Sequence, residues 1–191
     1  MVQEITKDEY IKDTKVISAF PGTGKSYCIE CMCNKYQRIQ ILDIDSSLYN
    51  WVIVSDIKPE PIIKNNTKNF IQINPAHKEY NPEFPRNYIE HIRKQIGKVD
   101  IIFVSSHQCV RDALKENSIP YTLIYPDKKI LAEYVGRYYM RGNNTRFINM
   151  IIENWDTWID SCEDDAGCQK HKLNSCEYLS DFVDKLHMNK K

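Results

Sequence analysis

The fold is decided by the stretch Thr14-Lys15-Val16-Ile17-Ser18-Ala19-Phe20-Pro21-Gly22-Thr23-Gly24-Lys25-Ser26. Its first six residues form a run rich in β-branched side chains that ends at a Pro/Gly cluster, which is typical of a short buried strand. Residues 25–36 follow without glycine or proline and are predicted to form a helix. A glycine loop, the name used below for residues 19–26, therefore joins the strand to the helix.

The glycine loop has the residue types and the context that a phosphate-binding loop requires. Gly22 and Gly24 allow the backbone to curl so that its N–H groups point at phosphate oxygens. The helix that begins near Lys25 adds the positive end of its dipole, and Lys25 itself supplies a charge for the β- and γ-phosphates. The Ser26 hydroxyl is a natural ligand for Mg²⁺. The alternative is an ordinary glycine turn before a helix, in which Lys25 and Ser26 are incidental.

This motif makes the chain similar to the P-loop NTPases. One departure is Ala19, which stands where the family has its first glycine, but alanine is small and this position closes the strand. A phosphate-binding loop indicates a nucleotide ligand but not the reaction. Other residues must therefore indicate whether the chain is a kinase, a motor, a switch or a nuclease-coupled ATPase. The resemblance implies that the nucleotide contacts Pro21, Gly22, Thr23, Gly24, Lys25, Ser26 and Tyr27.

Strands and helices alternate along the remainder of the chain. Further strands are predicted over 38–43, 99–104 and 121–125, and further helices over 85–96, 107–117, 127–140, 144–160 and 175–187. This alternation predicts a three-layer α/β sandwich with a mainly parallel central sheet and helices on both faces. We assign 1–160 to a P-loop kinase-like core, in which 58–97 is a candidate acceptor-binding insert and 127–146 a candidate lid, and 161–191 to a C-terminal helical and acidic extension.

Two carboxylates follow the second predicted strand. Asp43 and Asp45 lie two residues apart on an extended segment, so both can face the crevice at the strand ends. We predict that Asp43 supports Mg²⁺ together with Ser26, and that Asp45 orients an acceptor or takes a proton from it. This placement resembles the shikimate and nucleoside monophosphate kinases. The alternative is an Asp-rich turn in which a serine, Ser46 or Ser47, caps a short helix.

The third predicted strand ends at Ser105-Ser106-His107, without the acidic residue that motor and switch P-loop proteins usually carry there. This favours a small kinase that handles Mg²⁺ through Ser26 and Asp43. His107 is a candidate contact for a phosphate or an acceptor. It is equally a candidate for a helix-capping or core histidine.

Two arginines lie in the candidate lid. Arg137 and Arg141 are four residues apart and share one face of a helix, from which they can reach over the transferring phosphates and act in catalysis with Lys25 and Asp45. The alternative is an ordinary surface pair, because Glu133 and Arg137 have the favourable i,i+4 order.

The segment before the third strand supplies acceptor candidates. Arg86 can hold an acceptor phosphate, and Tyr88 or Phe84 can stack on a base. In nucleoside monophosphate kinases, the acceptor-binding subdomain occupies this place in the chain. The alternative is a helix start whose aromatic side chains pack into the core.

Composition excludes several classes of protein. The 191 residues are 42% hydrophobic and 27% charged, so the chain can bury a core and is not disordered throughout. Lysine and arginine total 26, as do aspartate and glutamate, so no basic excess favours an extended nucleic-acid surface. No apolar stretch reaches membrane-spanning length and the N-terminus is polar, so we expect a cytoplasmic protein that binds no membrane. Its seven cysteines are expected to stay reduced.

The combined resemblance is to the small P-loop kinases, particularly deoxynucleoside and nucleoside monophosphate kinases, with the phage-encoded members nearest. It covers residues 14 to about 150 and implies that the γ-phosphoryl group of ATP passes, with Mg²⁺, to a small acceptor, most simply a (deoxy)nucleoside monophosphate. Two alternatives remain. One is a P-loop ATPase or a kinase of polynucleotide ends, and the other is a nucleotide-binding regulatory module without turnover.

Overall fold

A computed structural model of the chain describes residues 13–35, 39–53 and 78–188. Within them the strands are β1 Lys15–Ala19, β2 Ile41–Asp43, β3 Trp51–Ile53, β4 Lys78–Tyr80, β5 Ile101–Ser105, β6 Tyr121–Pro126 and β7 Gln169–Leu173. The α-helices are α1 Lys25–Lys35, α2 Arg86–Gln95, α3 Gln108–Glu116, α4 Leu131–Met140, α5 Thr145–Glu163 and α6 Leu179–Met188. Residues 58–77 of the candidate acceptor insert lie outside the described residues.

Five strands form one parallel sheet in the order β2-β5-β1-β6-β7. Helices α1 and α6 pack on one face, where Cys28, Met32, Leu179 and Val183 meet side chains of the strands. Helices α2 to α5 pack on the other face in a larger cluster that includes Ile89, Leu114, Tyr134 and Trp155. The predicted three-layer α/β sandwich is therefore confirmed.

The central strands are apolar on both sides because both faces of the sheet are covered. In β1, Ile17 and Ala19 belong to the cluster under α1, whereas Val16 belongs to the cluster on the opposite face. Residues 101–104 of β5 are likewise all buried. This is why the sequence shows continuous apolar runs here and not the alternation of a half-exposed strand.

Local signals set several helix ends. Helix α5 begins at Thr145 because the Asn144 side chain accepts a hydrogen bond from the amide of Phe147 at 2.9 Å. Beyond α2, Gly97 adopts a φ of +87°, the left-handed conformation that commonly follows a helix. The sequence predicted both of these ends within two residues.

The strand β7 was not predicted from the sequence. Its residues Gln169–Leu173 are mostly polar, and only Leu173 is buried, under α6. The strand lies at the edge of the sheet, parallel to β6. Residues of the predicted C-terminal extension thus complete the sheet through β7 and cover one face through α6.

A separate antiparallel pair, β3 and β4, brackets residues 54–77. Trp51 and Tyr80 are paired across it, both exposed, with ring centroids 6.2 Å apart. In the part of the chain that is described, no helix is both long enough and apolar enough to cross a bilayer.

A buried ion network joins α3 to the end of α5. Arg111 donates to Asp165 Oδ2 at 2.5 Å, and both side chains are at most 3% exposed. Lys115 Nζ reaches the other carboxylate oxygen at 2.8 Å, and the Tyr121 hydroxyl donates to Asp165 Oδ2 at 2.9 Å. Arg111 also donates through Nε to the carbonyl oxygen of Ser106 at 3.0 Å, so the network holds the segment that follows β5.

Candidate functional site

The predicted site residues lie where the helices that follow neighbouring strands change from one face of the sheet to the other. Strands β1 and β5 are neighbours, but the helix after β1 lies on one face and the helix after β5 on the other. A crevice opens at the carboxyl ends of strands at such a switch point. The glycine loop, Asp43 and the Ser105-Ser106-His107 segment all lie at the carboxyl ends of these strands or of β2, which pairs with β5.

The glycine loop adopts a conformation that requires its glycines. Gly22 and Gly24 have φ angles of +83° and +94°, in the left-handed region that residues with a Cβ rarely adopt. A Cβ on Gly22 would lie 2.9 Å from the Tyr138 ring, and one on Gly24 would lie 3.3 Å from the Tyr178 ring. Backbone conformation and close packing thus both exclude larger residues at Gly22.

Three consecutive carbonyl groups of the loop are held from outside. The donors come from α4 and from the start of α6, more than a hundred residues away in sequence. The contacts are Tyr138 Oη to Pro21 O at 2.8 Å, Arg137 Nη1 to Gly22 O at 3.2 Å and Leu179 N to Thr23 O at 2.9 Å. Because the C=O and N–H of one planar peptide unit point in opposite directions, these bonds turn the following amides away from α4 and α6.

Most of the loop amides keep their hydrogens available. The amide of Thr23 donates to Phe20 O at 3.3 Å. Within the described residues, no acceptor bonds the amides of Gly22, Gly24, Lys25 or Ser26. Unpaired amides on a turn that leads into a helix form a concavity that suits an anion.

Lys25 and Asp43 are in contact at this edge of the sheet. Lys25 Nζ lies 3.5 Å from Asp43 Oδ1, and each side chain is about a quarter exposed, at 26% and 25%. This carboxylate oxygen is itself inaccessible and accepts no hydrogen bond from any described residue. Asp43 therefore keeps lone pairs beside the first turn of α1, where Ser26 is exposed, and a carboxylate with a hydroxyl is a donor set that fits Mg²⁺.

Asp45 caps a short 3₁₀ helix over Ser46–Leu48. Its Oδ1 accepts a hydrogen bond from the amide of Ser47 at 2.9 Å, and the residue is exposed. The predicted alternative, a turn with a helix cap, is therefore present, and it uses Oδ1 of Asp45. The cap is Asp45 itself and not one of the serines that follow.

Arg137 is held against the back of the glycine loop. Its Nη2 bonds Glu133 Oε1 at 2.5 Å and Glu177 O at 3.0 Å, while its guanidinium carbon lies 4.0 Å from the centroid of the Tyr178 ring. The i,i+4 pair with Glu133 is therefore present. With Nη1 on Gly22 O as well, Arg137 supports the loop and does not extend over it.

The other two arginines lie differently. Arg141 is exposed at the end of α4, beside Gly142, whose φ is +75°. Arg86 is exposed and paired with Glu83 three residues earlier. Of the predicted lid pair, only Arg141 keeps an exposed side chain.

We expect Arg137→Ala to weaken ATP binding about tenfold, because the loop loses a charged donor to Gly22 O worth about 1.5 kcal/mol. The matched control is Arg146→Ala, an exposed arginine at the start of α5 to which no role is assigned. Titration of each variant with ATP, followed calorimetrically, measures the dissociation constants. An equal or larger loss in Arg146→Ala than in Arg137→Ala would contradict a supporting role for Arg137.

Tyr88 requires a correction. Its side chain is fully buried, so the ring is not exposed for stacking on a base, and Phe84 is buried as well. The Tyr88 hydroxyl donates to Ile44 O at 2.6 Å and accepts from the amide of Ser105 at 3.2 Å. Tyr88 thereby joins the ends of β2 and β5, and burial raises its pKa, which keeps the phenol neutral.

His107 precedes α3 at the end of β5. Its Nδ1 lies 2.6 Å from Ser105 Oγ, and its side chain makes no hydrogen bond to the helix start. The residue has an exposed surface, but removal of water from the imidazole, together with the nearby positive charge of Lys25, lowers its pKa. It is therefore neither a core histidine nor a side-chain cap.

Sequence reasoning missed the groups that hold the loop from behind. Tyr138, Tyr178 and Leu179 have no motif of their own, and they reach the loop only through the packing of α4 and α6. Tyr138 adjoins the predicted Arg137 in sequence, which is the one signal that pointed near it.

Comparisons with known proteins assign no family. No family model matches the chain, and no curated protein matches it. Among solved structures it is similar to an uncharacterized protein from Eubacterium ventriosum, with 15% sequence identity and a TM-score of 0.45. That similarity covers 93% of this chain and 96% of the other.

Proposed function

We propose that the chain is an ATP-dependent phosphotransferase that passes the γ-phosphoryl group to a small acceptor. The observation that carries the proposal is the glycine loop, whose carbonyls are tied outward while the amides of Gly22, Gly24, Lys25 and Ser26 stay unpaired among the described residues. A polyphosphate is the ligand that best suits such amides followed by a lysine and the N-terminus of a helix.

The donor phosphates lie in the loop in this proposal, and Lys25 moves from Asp43 to the β- and γ-phosphates. Ser26 and Asp43 are the residues that would hold Mg²⁺, which when bound would neutralise charge on the phosphate oxygens. The unbonded Asp43 Oδ1 supports this assignment, because the neighbouring cation Lys25 is 3.5 Å away and makes no hydrogen bond to it.

The base of the nucleotide lies against the exposed ring of Tyr27 in the same proposal. Tyr27 follows Ser26 in the first turn of α1 and is 57% exposed. An exposed aromatic ring beside a phosphate-binding loop suits a nucleobase, since stacking tolerates any base. The Tyr178 ring, whose centroid lies 6.3 Å from that of Tyr27, contacts Arg137 behind the loop.

The acceptor side is formed by Asp45 and by the elements around residues 78–97. The sequence predicts a (deoxy)nucleoside monophosphate here, with Arg86 on its phosphate. Arg141 closes over the transferring group and excludes water, which would otherwise divert transfer into hydrolysis. The end of β5 carries serines and a histidine instead of an acid, which favours transfer over a motor-type ATPase.

A coupled assay for ADP tests this function. The full chain is incubated with ATP and Mg²⁺, with and without a panel of nucleoside monophosphates and hydroxyl compounds. ADP that depends on an added acceptor supports the kinase, and equal ADP without any acceptor supports an ATPase. Binding of ATP without ADP release supports the regulatory module, and no binding of ATP contradicts the proposal.

A further inference from the structure

We propose that His107, positioned by Ser105, accepts the proton of an acceptor hydroxyl, so that the acceptor is an alcohol and not a phosphate. This inference rests on the proposed phosphotransferase function. It assigns the base of the reaction to the end of β5, whereas the sequence pointed to Asp45.

The geometry at the end of β5 fixes the imidazole. Ser105 Oγ lies 2.6 Å from His107 Nδ1 and also accepts the main-chain N–H of His107 at 3.3 Å. We assign Nδ1–H as the donor of this contact, so that the two lone pairs of Ser105 Oγ accept from the two N–H groups of His107 and the hydroxyl hydrogen points away from the ring. In this tautomer Nε2 carries a lone pair, and no described residue bonds it.

Ser105 is itself held in place. Its amide donates to the buried Tyr88 hydroxyl at 3.2 Å, and its carbonyl accepts from the Ser18 hydroxyl at 3.1 Å. The following carbonyl, that of Ser106, accepts from the buried Arg111 at 3.0 Å. Because these hydrogen bonds hold the backbone at the end of β5, the imidazole of His107 keeps its orientation, which general base catalysis requires.

The charges around His107 favour the neutral imidazole. Lys25 faces it from α1 and Asp45 faces it from the segment after β2, while Tyr88 from α2 stays an uncharged phenol. Desolvation and Lys25 lower the pKa of His107, and Asp45 opposes this only in part. The imidazole is therefore unprotonated at neutral pH and ready to accept a proton.

The acceptor side of the crevice suits a neutral compound better than an anion. Asp45 is an exposed carboxylate that would repel a phosphate dianion. Arg86, the cation predicted for an acceptor phosphate, is paired with Glu83 and has a 74% exposed side chain. Both terminal nitrogens of Arg137 are bonded behind the glycine loop.

The need for a base follows from the acceptor. A phosphate oxygen is already ionised at neutral pH, whereas a hydroxyl must lose its proton as it attacks. In the proposed step the hydroxyl oxygen bonds the γ-phosphorus, and the bond to the β,γ-bridging oxygen breaks. ADP leaves with that electron pair, and the hydroxyl proton goes to His107 Nε2 and then to solvent.

The experiment uses the full chain with ATP, Mg²⁺ and two sets of acceptors. One set contains nucleosides, an oligonucleotide with a 5′-hydroxyl end and small polyols, and the other contains nucleoside monophosphates. ADP release and ³¹P NMR of the phosphorylated product are measured from pH 5 to pH 9. The variants are His107→Gln, Ser105→Ala and, as matched control, His171→Gln, a histidine on β7 whose pKa is also lowered by burial.

We expect a hydroxyl compound to become phosphorylated, with the wild-type kcat falling at acid pH as His107 is protonated. His107→Gln should lower kcat about 100-fold or more, leave the KM for ATP unchanged and remove the acid limb of the pH profile. Ser105→Ala should move that limb to lower pH, because the imidazolium loses an acceptor for its Nδ1–H. His171→Gln should behave as the wild type.

Three results would overturn the inference while leaving the proposed function intact. They are transfer to monophosphates alone, an unchanged kcat in His107→Gln, and an acid limb that persists in that variant. If ATP is consumed without either acceptor set, water is the hydroxyl acceptor, and equal hydrolysis by wild type and His107→Gln overturns the inference. Absence of ATP binding contradicts the proposed function itself.

Discussion

Lys25→Ala is expected to lower the rate of phosphoryl transfer or ATP hydrolysis by about 100- to 1,000-fold, since one preorganised charge on the transferring group is worth that much. ATP binding should weaken in parallel. The protein should stay folded, because the Lys25–Asp43 pair is a partly exposed contact at 3.5 Å and contributes little to the free energy of unfolding.

The matched control is Lys35→Ala, a lysine at the other end of the same helix α1 that pairs with Asp184 on α6. It should leave turnover unchanged. Calorimetric ATP titration, the ADP assay and a thermal melt are run on both variants. Undiminished retention of ATP by Lys25→Ala would show that the glycine loop does not hold a polyphosphate.

Asp165→Asn is expected to lower the free energy of unfolding by about 3–5 kcal/mol, because it leaves the Arg111 guanidinium buried without a counter-charge. The exposed neighbour Asp164 is the control, and Asp164→Asn should change the unfolding free energy by less than about 0.5 kcal/mol. Urea denaturation at pH 7 measures both. A loss of under about 1 kcal/mol in Asp165→Asn would contradict the role assigned to the buried network.

The same network predicts a pH dependence of stability. Burial opposes ionisation of Asp165, but hydrogen bonds from Lys115, Tyr121 and Arg111 outweigh it, so the pKa of this carboxyl is lowered. A carboxyl with a lowered folded-state pKa stabilises the fold above its ordinary pKa, and this stability is lost as pH falls toward the lowered value. The wild type should therefore lose stability between about pH 5 and pH 2 more steeply than Asp165→Asn.

Arg111 also connects stability with the site, because its Nε holds the Ser106 carbonyl beside His107. We expect Asp165→Asn to make the segment after β5 exchange its amide hydrogens faster, even below the temperature of unfolding. The sequence placed Ser105 and His107 at the end of a strand but did not indicate that a buried ion pair fixes them.

Much of the site was predictable because its signals are local. The sequence Gly22-Thr23-Gly24-Lys25 reads directly as a turn with left-handed glycines before a helix, and both glycines have positive φ angles. The apolar run of β5 likewise predicts a strand that is covered on both faces. In each case neighbouring residues alone specify the backbone.

The partners and the burial of individual side chains around the site were not predictable from neighbouring residues. The i,i+4 rule offered Glu133 as a partner for Arg137, but the bond to Gly22 O spans 115 residues and has no local pattern. For Tyr88 the sequence left two readings open, stacking on a base or packing into the core, and the structure shows the second, with Tyr88 between β2 and β5. Its burial depends on how α2 lies on the sheet.

The sequence by itself determined the strand-loop-helix unit around Lys25, the parallel α/β architecture and the residue types that line the strand ends, because short-range backbone preferences and hydrophobic periodicity encode them. The tertiary structure alone decided that β7 completes the sheet and that Arg137, Tyr138 and Leu179 hold the loop carbonyls. These contacts join segments far apart in the chain, and they exist only once helices α4 and α6 have packed on the sheet.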